Sequence, residues 1–72
     1  MAQILDCRGL KCPQPVLKVA IKANSIPPGT TLEVYADCHT FPSDIQKWCM
    51  DTGRVLISCV NQGTYHVATV QF

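Results

Sequence analysis

Cys7 and Cys12 stand five positions apart in the run Asp6-Cys7-Arg8-Gly9-Leu10-Lys11-Cys12-Pro13-Gln14-Pro15, where the groups able to do chemistry concentrate. Pro13 fits the first position of a helix, where its missing N–H costs nothing. Cys12 is then the N-cap, with its side chain toward the unpaired N–H groups of the first turn. Those groups and the aligned peptide dipoles stabilise an anion. A free thiol titrates near about 8.5, and a helix N-terminus with nearby cations brings it toward neutrality. Arg8 and Lys11 are the candidate cations. Pro13 and Pro15 remove two N–H donors, which leaves the amides of Gln14 and Val16, and they stiffen the loop that presents Cys12. A persulfide on such a thiol is ionised at neutral pH and open to another protein's cysteine. Simple capping is the competing reading, but cysteine is a poor cap beside Ser, Thr, Asp or Asn. The reactive reading is preferred.

The remaining candidates carry less. Cys7 either resolves a Cys12 persulfide, closes a disulfide with it, or is a small side chain at a strand end, and the last is the plainer reading. Cys38 follows the second strand, at the same sheet edge as Cys12 if the first two strands are parallel, so a second sulfur site there stays open. Cys49 and Cys59 fall on apolar patterns and read as core. Asp37 either assists proton movement or caps its loop, with capping favoured, and Asp44 compensates a helix dipole. His39 reads as a solvated loop residue and His66 has no evident partner. No C-x₂-C pair exists, and Cys7, Cys12, Cys38 and His39 make an improvised ligand set, so neither metal nor cofactor is expected.

The elements that must position these groups follow from periodicity. Ala2 to Asp6 is a short apolar strand, and the loop after it contains Gly9. Val16, Leu17, Ala20 and Ile21 recur at helical spacing, with Lys18, Lys22 and Asn24 facing away. Pro27-Pro28-Gly29 ends that helix in a turn. Thr30 to Ala36 alternates, Leu32, Val34 and Ala36 against Thr31, Glu33 and Tyr35, as a strand buried on one face does. Thr40 is a fair N-cap and Pro42 an early helical residue. Ile45, Trp48 and Cys49 form the stripe of a second helix, with Phe41 able to pack on Ile45 and Gly53 as its stop. Val55 to Val60 is a third strand, in which Cys59 alternates with Val55 and Ile57. Asn61-Gln62-Gly63 makes a hairpin turn into a fourth strand, Thr64 to Phe72, with apolar residues on both faces. The order βαβαββ, with right-handed crossovers between parallel strands, gives an α+β two-layer sandwich with both helices on one face of the sheet. Glu33 and Tyr35 lie on the other face, left for solvent or a partner.

Bulk properties bound the function. At 72 residues the chain is one domain, 1–72, and a core of this size supplies only about 3–5 kcal/mol. It is 47% hydrophobic and 15% charged, as globular proteins are. The net charge of +1 gives no whole-molecule attraction to nucleic acid or membrane. Arg8, Lys11, Lys18 and Lys22 nonetheless make a basic flank opposed only by Asp6, suited to an acidic partner or simply a solvated helix face. No stretch nears the roughly 18 apolar residues of a membrane span, and the start lacks a signal peptide's pattern. The cytoplasm is therefore the expected compartment, and the odd count of five cysteines argues for reduced thiols.

The cysteine run resembles the G-L-x-C-P-x-P signature of the TusA/SirA/YedF family of small sulfur-carrier proteins. Leu32-Glu33-Val34, Ala36-Asp37, Asp44-Ile45 and Trp48-Cys49 extend the likeness over essentially the whole chain, although Cys38 departs from the family's usual acidic residue or proline. The resemblance implies a mixed four-stranded sheet of order 1-2-4-3 with the last strand antiparallel to the rest. It also implies that Cys12 accepts sulfane sulfur from a cysteine desulfurase or rhodanese and relays it by transpersulfidation to a downstream acceptor protein. The final use would be tRNA thiolation, molybdenum cofactor work or sulfur oxidation. Arg8, Lys11, Pro13, Pro15 and Asp37 are the supporting residues, with Arg8 and Lys11 offsetting charge and docking an acidic lip. A cytoplasmic monomer is expected, more carrier than independent enzyme, without direct nucleic-acid or membrane binding. The alternative is a thiol-based regulatory or interaction module that moves no sulfur.

Overall fold

Alternation builds the centre of the sheet. In the strand Thr31–Ala36, Leu32, Val34 and Ala36 are fully buried while Thr31, Glu33 and Tyr35 are half-buried. Removing a side chain of the Val or Leu kind from water stabilises by about 1.5–3 kcal/mol, which fixes which face of this strand meets the helices. The computed structural model describes residues 2–11 and 14–72. Its elements are β1 (Ala2–Asp6), α1 (Gln14–Ala23), β2 (Thr31–Ala36), α2 (Phe41–Thr52), β3 (Val55–Asn61) and β4 (His66–Gln71). The sheet order is β1-β2-β4-β3. β1 and β2 are parallel, and β4 runs antiparallel to both β2 and β3. This is the α+β architecture and strand order that the family resemblance implies.

One core joins the layers. Leu32, Val34, Ala68 and Val70 from the sheet meet Val19 of α1 and Phe41, Ile45 and Cys49 of α2, all buried. The inward face of α1 differs from the periodicity reading. Pro15 and Val19 are its buried residues, whereas Leu17 and Ile21 are 55% and 68% exposed. Apolar side chains from Pro15 to Ile21 cover more than one face of this helix, so spacing alone does not choose which face docks. The helix start expected at Pro13, with Cys12 as N-cap, lies outside the described residues.

α2 follows its sequence signals in position, but the Thr40 hydroxyl makes no capping hydrogen bond to the backbone and donates to the Asp44 carboxylate at 3.0 Å instead. Thr40 occupies the N-cap position and Pro42 lies in the first turn. At the other end Gly53 adopts φ 75°, its N–H donates to the Met50 carbonyl, and the Arg54 N–H donates to Cys49 at 2.9 Å. This is the Schellman pattern that closes a helix through a left-handed residue. A Cβ added at Gly53 meets nothing within 4 Å, so Gly53→Ala carries only the backbone cost. A loss of about 1–2 kcal/mol is expected from the urea unfolding midpoint.

β3 departs from simple alternation. A bulge between Leu56 and Ser58 shifts its pairing with β4. As a result Leu56 and Cys59 pack against the core while Val55 and Ile57 are exposed, at 59% and 51%. Cys59 therefore does not share a face with Val55 and Ile57, because an extra residue reverses the side-chain alternation. β4 begins at His66 rather than Thr64. The Gly63 N–H donates to the Asn61 side-chain oxygen at 2.8 Å and the Gln62 N–H to the Tyr65 carbonyl, which holds the intervening residues in a turn.

Candidate functional site

Parallel pairing brings the exits of β1 and β2 together. Asp6 sits opposite Tyr35, and the Cys7 N–H donates to the Tyr35 carbonyl at 2.6 Å. The loop after β1 then bends at Gly9, whose φ of 88° suits glycine. Its N–H donates to the Asp37 carboxylate at 3.0 Å. Asp37 is the first residue after β2, so this hydrogen bond ties the two loops side by side. Gly9, Leu10 and Lys11 on one side and Asp37, Cys38 and His39 on the other line an open groove of about 460 Å³.

Cys12 and Pro13 lie outside the described residues. Cys12 nevertheless follows groove-lining Lys11 directly in sequence, and α1 begins at Gln14. Of the two amides that the sequence offers an anion at position 12, that of Gln14 is committed to the Lys11 carbonyl at 2.8 Å. Pro15 is buried beneath the first turn of α1. Its carbonyl lies 4.0 Å from the Cys7 sulfur.

The cations divide their work. Lys11 is exposed beside the groove. Arg8 is held away from it, donating to both oxygens of Asp6 at 2.9 and 2.8 Å. Its guanidinium also lies 5.6 Å and 5.1 Å from the ring centroids of Tyr35 and Tyr65, which stack on each other. Tyr65 has no sequence signal of its own, because its stacking on Tyr35 depends on the β4 register, in which Tyr35 pairs with Val67. Hydrogen bonds from the Arg8 side chain and backbone, reinforced by its charge, lower the Asp6 carboxyl to about 2. A depressed carboxylate stabilises the fold at pH values above its unfolded titration and loses that contribution as pH falls from about 4 to about 2. Carbon-detected NMR should place the Asp6 midpoint near about 2 in the native chain. In Arg8→Ala it should return toward the ordinary aspartate value.

Cys7, Cys49 and Cys59 are free thiols, whereas Cys38 is disulfide-bonded. Burial pushes the Cys7 thiol up, and the neighbouring Asp6 charge adds to this while Lys18 opposes it. Burial likewise raises Cys49 and Cys59. All three free thiols are thus biased toward the protonated, unreactive form. Cys38 is 8% exposed, and its sulfur lies 3.3 Å from the Thr40 hydroxyl. The Phe41 N–H bonds the Cys38 carbonyl at 3.0 Å, which anchors the loop to α2.

Residues 3–71 match the family model described as sulfurtransferase TusA. The chain is 38% identical over 63 residues to the sulfur carrier protein TusA of Pseudomonas paraeruginosa, covering 86% of this chain and 80% of that one. It is 33% identical over 70 residues to a putative sulfur carrier protein of Neisseria meningitidis serogroup A, covering 97% and 95%. The TusA of Pseudomonas syringae pv. tomato is 36% identical over 55 residues, with 76% and 66% covered. Among the described residues no helix is long and apolar enough to cross a membrane. A sequence match running from β1 through β4, on a sheet of the expected order, places this chain in the TusA family.

Proposed function

We propose that the chain is a sulfur carrier whose Cys12 accepts sulfane sulfur as a persulfide and passes it to a partner protein. The observation that carries this reading is the family match over residues 3–71, which spans Cys12-Pro13-Gln14-Pro15. The names of its relatives, sulfur carrier proteins, support the same role. So do the three free thiols elsewhere, which burial disfavours as nucleophiles.

The transfer is a pair of thiol exchanges. The Cys12 thiolate attacks the outer sulfur of a donor's persulfide, and the donor cysteine leaves as thiolate. An acceptor's thiolate then attacks the outer sulfur of Cys12–S–S⁻, and Cys12 leaves as thiolate. A cysteine desulfurase or a rhodanese is the donor class. The α1 face that follows Cys12 in the chain leaves Leu17 and Ile21 exposed next to exposed Lys18. That mixture of apolar and cationic groups, with Lys11 beside the groove, suits docking of a partner with an acidic rim. Asp37 holds the loop by accepting the Gly9 N–H.

The test is intact mass after incubation with a cysteine desulfurase and cysteine, followed by addition of an acceptor thiol protein. The chain should gain one sulfur atom and then lose it as the acceptor gains one. Failure to gain sulfur from any donor would instead favour a thiol-based interaction module.

A further inference from the structure

We propose that Cys38 is the resolving thiol of Cys12, releasing an unclaimed cargo as sulfide and leaving the carrier closed by a Cys12–Cys38 disulfide. This rests on the persulfide reading above. Cys38 lines the groove opposite Gly9, Leu10 and Lys11, the three residues that immediately precede Cys12. The Gly9–Asp37 hydrogen bond fixes the two loops against each other one residue from Cys38. Cys38 is disulfide-bonded, while Cys7, Cys49 and Cys59 are free. Cys7, although closer in sequence, is buried to 1% exposure and kept protonated by that burial and by Asp6. At 8% exposure Cys38 is shielded from a second protein, yet it borders the same groove. A thiol so placed attacks at the high effective concentration of an intramolecular reaction.

The chemistry balances without an outside oxidant. The Cys38 sulfur attacks the inner sulfur of Cys12–S–S⁻, forming the Cys12–Cys38 bond and breaking the bond to the outer sulfur. The outer sulfur leaves as HS⁻, taking the proton of the Cys38 thiol. The sulfane sulfur is reduced to sulfide, and the two cysteine sulfurs are oxidised to a disulfide. A dithiol reductant then restores both thiols and the capacity to load. Sulfur held on Cys12 would thus have a limited lifetime, and only a docked acceptor that outpaces Cys38 collects it.

The experiment follows the reduced chain by intact mass, with sulfide measured in parallel, after loading by a cysteine desulfurase and removal of the donor. The native chain should shed its added sulfur, release one equivalent of sulfide and end two hydrogens lighter than the reduced protein. Cys38→Ser and Cys38→Ala, each checked for native circular dichroism, should hold the added sulfur at least about tenfold longer and release no sulfide. Equal lifetimes in native and variant chains, with no lighter species, would overturn the resolving role and leave the carrier reading intact. Absence of sulfur from every chain would overturn both.

Discussion

Cys12→Ser is expected to abolish sulfur loading, leaving only the background of the four remaining cysteines. A serine hydroxyl is a far weaker nucleophile than a thiolate and cannot form a persulfide, so no conservative substitute exists at this position. The remaining cysteines are poor replacements for physical reasons. Cys7 and Cys49 are buried, and burial raises the thiols of Cys7, Cys49 and Cys59 alike. Cys38 borders the groove but is 8% exposed. Loading measured by intact mass with a saturating desulfurase should therefore fall by about a hundredfold or more, with an unchanged thermal melt. Retained loading in the variant would move the site to another cysteine.

The second large effect concerns the fold. Phe41→Ala should leave the chain largely unfolded at room temperature. Phe41 is completely buried in the core shared by α2 and the sheet. Deleting such a ring costs about 3–5 kcal/mol, as much as the whole stability of about 3–5 kcal/mol that a domain of this size commands. Its backbone N–H also bonds the Cys38 carbonyl, a hydrogen bond that alanine can still donate, so the expected loss comes from the missing ring alone. Circular dichroism should show no cooperative melt, and a native-like transition in the variant would contradict this placement of Phe41.

How far the sequence reveals these features depends on the kind of signal. β2 was legible because strict alternation admits a single buried face, and α2 because Phe41, Ile45 and Cys49 fall on one stripe ending at Gly53. The docking face of α1 was not, since Leu17 and Ile21 are as apolar as the buried Val19 and only the packing against the sheet decides between them. The β3 bulge was likewise hidden, as an extra residue between Leu56 and Ser58 changes no composition yet turns Val55 and Ile57 outward. At the site, adjacency of the loop holding Gly9, Leu10 and Lys11 to the one holding Asp37, Cys38 and His39 follows from parallel strands ending on one side. The involvement of Arg8 with Asp6, Tyr35 and Tyr65 does not, because it needs the cross-strand register that sets Tyr65 beside Tyr35.

Site-resolved mapping of the sulfane sulfur tests the carrier reading most directly. The reduced chain is charged by a cysteine desulfurase, capped at once with an alkylating reagent at neutral pH, digested, and sequenced by mass spectrometry. The extra sulfur should sit on the peptide containing Cys12, with Cys7, Cys49 and Cys59 capped as ordinary thiols. Sulfur found first on any other cysteine, with Cys12 unmodified, would contradict it.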